Sequence, residues 1–205
     1  MLVADELRHA VGRSEDALFH ANVVFKDTPL EIVLEFWGRL LENSKSICLL
    51  LDNDFINEAM VIHRLSIEHF SVVVGLMEGK TSFEDLKNKD LADLPKQARG
   101  VQRGDEKSSS LTPENREILK DFVNQMDAAP AQASGISVYN LLDSCGLDFV
   151  YVNYRLYSIR AAHATLLSGI SSGDFAEKAK LITDAISLLD LTNAFARKYE
   201  NKPAE

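Results

Sequence analysis

The sequence predicts an all-α fold, a bundle of four or five long helices with an irregular helical insertion, and three observations carry that prediction. Apolar residues recur at steps of three, four and seven over long stretches, the spacing that lines one face of a helix. Helix-start signals stand ahead of several stretches: Thr28-Pro29-Leu30-Glu31, Thr112-Pro113-Glu114, and Asp174 with Glu177. No strand-length run of alternating apolar and polar residues is bounded by turns, and no segment repeats.

The first helix is expected over residues 2–25, where Leu7, Val11, Leu18, Ala21 and Phe25 form one stripe. In the second, Thr28 is expected to cap, Pro29 to take the first helical position and Glu31 to complete a capping box, with the helix reaching about Leu51. Asp52-Asn53-Asp54 breaks the chain before a third helix of about 54–78, closed by Gly79. The stretch of about 80–136 is more polar, with short helices at about 83–98 and 113–126 and a mobile loop from Gly100 to Ser110. Ala128 to Gly135 reads as a small-residue linker. Helix returns from Ser137 to Asp143, breaks at Gly146 and resumes over about 147–170. The last helix, about 175–199, opens on the Asp174–Glu177 box and buries Leu181, Ile182, Ala185, Leu188, Leu189, Thr192 and Phe195. The whole is expected to be one helical-bundle domain over 1–205, with the polar insertion at about 80–136.

Composition narrows the function classes. With 46% apolar and 26% charged residues over 205 positions, the chain can bury a core without a disulfide or metal staple. Its two cysteines, Cys48 and Cys145, lack partners at zinc spacing and read as small buried hydrophobes in a reducing compartment. The opening MLVADELRHAVGR has no apolar signal core. The longest uncharged run, Ala128 to Leu142, contains Pro130 and Gly135, so no membrane span is expected and the location is read as cytoplasmic. A net charge of −9 disfavours a broad nucleic-acid surface. The run Lys96, Arg99, Arg103 and Lys107 is interrupted by Asp105 and Glu106 and reads as a solvated loop. There is no Gly-rich phosphate loop. No cofactor and no metal are expected. His9, Asp16 and His20 share a helix face opposite the apolar stripe, and Glu6-Leu7-Arg8-His9 is half of a di-iron pattern without its second copy.

The candidate site comes from polar residues with no obvious excuse. The helices of about 54–78 and 147–170 are apolar nearly all round, which places both at the centre of a bundle. Their charged residues, His63, Arg64, Glu68 and His69 on one and Arg155, Arg160 and His163 on the other, are expected to be desolvated and therefore to need partners. Arg64 and Glu68, four residues apart, lie about 40° apart around the helix and share a face. Tyr151, Tyr154 and Ser158 form one polar stripe on the later helix. The cluster to be tested is Arg64, Glu68, Tyr154, Ser158 and His163, either as a structural ion pair or as the lining of a pocket. Ser158 and His163 lie about 140° apart on a straight helix with no acid nearby, which argues against a hydrolytic triad.

The segment INEAMVIHRLSIEHFSVVVGL resembles the opening motif of a bacterial family of uncharacterised all-helical proteins, here supplying Ala59, Arg64 and Glu68. YRLYSIRAAHATL is similar to that family's later helix, supplying Tyr154, Ser158 and His163. The resemblance implies a helical fold and a pocket, without a reaction. Arg64-Leu65-Ser66-Ile67-Glu68-His69 also resembles the HEPN helical group, whose metal-independent ribonucleases pair two such motifs across a dimer. There Arg64 would stabilise phosphate charge and His69 would do acid–base or positioning work. The leading expectation is a small-ligand or partner-binding module. The alternative, a HEPN-like ribonuclease of a defence or toxin system, would act on nucleic acid as a homodimer through Arg64 and His69.

Overall fold

The computed structural model describes residues 2–128, 135–162 and 173–200. Among them the fold is all-α. The chain divides into two compact units, one of residues 1–80 with 137–205 and the other of residues 81–136.

The first unit contains α1 (Leu2–Phe25), α2 (Glu31–Asp52), α3 (Ile56–Met77), α6 (Val138–Ser144), α7 (Asp148–Tyr157) and α8 (Phe175–Glu200). α7 runs directly into a π-helical turn, Ser158–Ala162. α3 is the hub: it packs against α2, α6, α7, the π turn and α8, while α1 packs against α2 and α8. By length and composition α3 is apolar enough to cross a membrane, which an inventory of uncharged runs misses because Arg64 and Glu68 interrupt it. Of that stretch 61% is buried inside the protein, as expected of the core helix of a bundle.

Helix ends follow local chemistry. Gly79 and Gly146 adopt the left-handed conformation that a side chain resists. Each closes its helix by two reverse bonds: Gly79 N to Leu76 O and Lys80 N to Gly75 O after α3, Gly146 N to Asp143 O and Leu147 N to Leu142 O after α6. α8 has the expected box, with Glu177 N donating to Asp174 Oδ1 at 2.8 Å and Asp174 N donating to Glu177 Oε2 at 3.1 Å. α2 differs from expectation. Thr28 sits in the preceding turn, its hydroxyl donating to Phe25 O and accepting from Leu30 N, and the N-cap is Leu30 with no side-chain bond.

The α8 stripe from Leu181 to Phe195 is buried as read, Thr192 included. On α1 the stripe differs at one position. Leu18 is only half-buried, whereas Ser14 is fully buried among the apolar residues. A further close approach joins the segment before α8 to the head of α3. A methyl group on Gly173 would stand 2.5 Å from Ile56 Cβ. Gly173→Ala should therefore destabilise the protein by about 1–3 kcal/mol through overpacking, read from urea unfolding, and an unchanged midpoint would contradict this contact.

The second unit contains α4 (Phe83–Ser108) packed against α5 (Pro113–Ala128). The loop read from Gly100 to Ser110 is instead helix as far as Ser108. Each glycine costs a helix only about 1 kcal/mol, and a specific contact offsets that cost. Asp105, buried on α4, accepts from Leu111 N at 2.7 Å and from Arg116 Nε at 2.5 Å. Those two donors hold its carboxyl below the usual carboxylate range, Arg116 foremost. Arg99 also pairs with Asp127 across the hairpin. The basic residues of the run are thus exposed positions on a helix, with Lys96 tied to Asp93. The linker reading lies largely outside the described residues, at 129–134.

Candidate functional site: a polar cluster between two helices

α3 presents Arg64 and Glu68 one turn apart, and α7 presents Tyr154 with Ser158 one turn later, where the π turn begins. The four side chains meet. Arg64 Nε donates to Ser158 Oγ at 2.9 Å, and Arg64 Nη2 donates to Tyr154 Oη at 2.8 Å. Nη2 also lies 2.9 Å from Glu68 Oε1, to which the Tyr154 hydroxyl donates at 3.2 Å. The ring is closed from below, because the Ser158 hydroxyl donates to Tyr154 O at 2.8 Å. Its proton is thereby committed to the backbone and its oxygen to Arg64, so Ser158 serves as an acceptor and not as an activated nucleophile.

The expected desolvation is incomplete. The Arg64 and Glu68 side chains are 25% and 31% exposed. None of the contacts above uses Arg64 Nη1 or Glu68 Oε2. The Arg64 guanidinium also stands 4.9 Å from the Tyr154 ring centre, and Tyr154 stacks on Tyr151, which meets Tyr139 edge-on. His163, the fifth residue of the expected cluster, lies outside the described residues, as does the end of the helix read to residue 170.

His69 is sent elsewhere. Its Nδ1 lies 3.3 Å from Asn43 Nδ2 and its ring is near Phe36, both on α2. Burial lowers its pKa. Arg64 turns to α7 and His69 to α2, as their angular separation on a straight helix requires. His9, Asp16 and His20 are all exposed. Cys48 is buried and Cys145 half-buried, and burial pushes both thiols up, away from reactivity. Arg155, expected to be buried, is exposed. The reason is that α7 is not central all round: Val150 and Tyr157 face the core, while Phe149, Val152 and Leu156 are more than half exposed.

Two further polar groupings are buried, and of their members only the burial of His63 was expected from the sequence. Trp37 Nε1 donates to Ser14 Oγ at 2.9 Å, and Ser14 donates to Asn193 Oδ1 at 2.9 Å, linking α2, α1 and α8. The signal was present: Ser14 stands at the position the heptad steps 7, 11, 14, 18 assign to the core. The second grouping is His63 with Tyr157. His63 is fully buried, its ring edge-on to Tyr157 with centres 5.0 Å apart, and neither ring nitrogen has a hydrogen-bond partner among the described residues. Burial drops its pKa to about 4, so it stands neutral at pH 7. The Tyr157 hydroxyl donates to Asp184 Oδ2 at 2.6 Å, and burial with that carboxylate raises its pKa.

These features define an all-helical protein whose two motif helices share a partly exposed Arg–Glu–Tyr–Ser cluster. The chain belongs to the family described as "Family of unknown function (DUF5677)", whose model matches residues 30–178. That span runs from α2 to the first turn of α8 and includes all four residues of the cluster. No curated protein and no solved structure matches the chain.

Proposed function

We propose that the protein is a small-ligand or partner-binding module whose recognition point is the Arg64–Glu68 pair. The observation that carries this reading is that the pair is fixed by Tyr154 of α7 and Ser158 of the π turn yet remains a quarter to a third exposed, with Nη1 and Oε2 outside the bonds formed among the described residues. An arginine donor beside a glutamate acceptor is neutral as a pair. Its complement is a group with an acceptor and a donor side by side, which describes an amide. A carboxylate would meet Glu68 as a like charge, and an ammonium would meet Arg64.

The test is a titration followed by the side-chain Nε–H resonance of Arg64. N-methylacetamide should shift it saturably, acetate and methylammonium should not, and Glu68→Gln should weaken the response. A response equal for all three probes, or none to the amide, would sink the proposal.

A further inference from the structure

α1 and α2, joined by a short turn, pack antiparallel and leave between them a groove of about 470 Å³. All of its lining residues belong to these two helices, so it is separate from the Arg64–Glu68 pair. The floor is apolar: Leu41 is buried, while Leu18 and Leu34 are half-buried. Leu18 departs from the buried α1 stripe because its side chain lines this groove. Phe19 forms a wall at 72% exposed, one turn from Val23 at 77%. Gly38 opens the middle of the floor, since a methyl group there would meet nothing within 4 Å. Glycine weakens a helix interior, and no contact within the described residues requires one at this position. The space above it is free for a side chain from outside.

The rim carries a net negative charge. Three carboxylates, Glu15, Glu35 and Glu42, stand against one ammonium, Lys45. The neighbouring charges along the helices and their turn, Lys26, Asp27, Glu31 and Arg39, cancel one another, so the excess stands. Lys45 is held by Glu15 at 2.5 Å, and Glu42 takes Arg39 at 2.8 Å. Glu35 is exposed and has neither an ion pair nor a side-chain hydrogen bond among the described residues. That charge selects among the surfaces an apolar floor could accept. A second copy docked face to face would set Glu35 and its neighbours against themselves, and anionic lipid or nucleic acid would be repelled in the same way. A cationic partner is attracted. From Leu34 to Lys45 the groove follows α2 for about 17 Å, the length of about three helical turns.

From this groove we infer that the protein has a docking site for a basic amphipathic helix of a partner protein. The partner's apolar stripe lies on Leu18, Leu34 and Leu41 and over Gly38, and its lysines or arginines meet Glu35 and the rest of the rim. A helix laid along the seam of two others packs at ordinary interhelical distances, with apolar anchors inserted at helical spacing.

The probe is the acetylated, amidated peptide LAALKAKLAALKAK, with leucine along one seam and lysine on both flanks. The full chain is titrated with it while the methyl resonances of Leu18, Leu34 and Leu41 are followed, and all three should shift saturably. The same peptide with glutamate in place of lysine, and a shuffled peptide of the same composition, should leave them unmoved. Gly38→Leu fills the groove with a better helix former where no atom stands in the way. It should keep the far-UV circular dichroism and weaken binding by at least about tenfold. Glu35→Lys, at an exposed position, should weaken the lysine peptide as well. Equal binding of the lysine and glutamate peptides, or of the shuffled one, would overturn the inference. So would binding that survives both variants. The same methyl shifts on concentrating the protein without peptide would make the occupant a second copy and overturn it too.

Discussion

Replacing Trp37 with alanine should cost about 3–5 kcal/mol of unfolding free energy. The indole is completely buried, and its loss removes the largest side chain of the α1–α2–α8 core. It also removes the donor to Ser14, whose own hydroxyl points to Asn193. Ser14→Ala separates the two contributions. It removes little volume but strands a buried indole N–H, for which about 1–3 kcal/mol is expected. Urea unfolding of both variants checks the order. A Ser14→Ala loss as large as that of Trp37→Ala would assign the stability to the hydrogen bonds and not to the packing.

Acidification should destabilise the protein through His63. Its pKa is about 4 when folded, against an ordinary value of 6.5. Between those values the unfolded chain binds the proton and the folded chain does not. The contribution is therefore complete above about pH 6.5 and is lost as the pH falls towards 4. The dominant cause is burial, since the carboxylate of Asp184 favours the charged imidazole and Lys180 opposes it. The full difference is worth about 3 kcal/mol. Carboxylates titrate in the same range, so the comparison is with His63→Leu. From pH 7 to 4.5 the wild type should lose about 2–3 kcal/mol more than the variant. Parallel profiles would show that His63 is protonated in the folded protein.

Much of this architecture was legible because it follows from one-dimensional rules. The α8 stripe needed only the helical period, and the stops at Gly79 and Gly146 only the steric freedom of glycine. The meeting of Arg64 and Glu68 with Tyr154 and Ser158 was legible for a thermodynamic reason. Charges on apolar helices must find partners, and few polar residues stood opposite. What escaped was set by tertiary contact. Gly100 and Gly104 signalled a loop, but the Asp105–Arg116 bond keeps α4 helical beyond them. Tyr157 lies on a helix whose composition read as apolar nearly all round, though its hydroxyl reaches Asp184 on α8. The apolar content of α7 suggested burial on every side, whereas Phe149, Val152 and Leu156 are exposed. Composition alone does not tell a buried face from an unoccupied one.

The central claim is that the Arg64–Glu68 pair is an open recognition point and not only a lock between α3 and α7. Diffraction from crystals soaked in N-methylacetamide tests it most directly. The account predicts the amide in hydrogen-bonding contact with both Arg64 Nη1 and Glu68 Oε2, with the bonds to Tyr154 and Ser158 unchanged. Ordered water alone at those two atoms, in crystals where the amide has bound elsewhere, would contradict it and leave the cluster a structural tie.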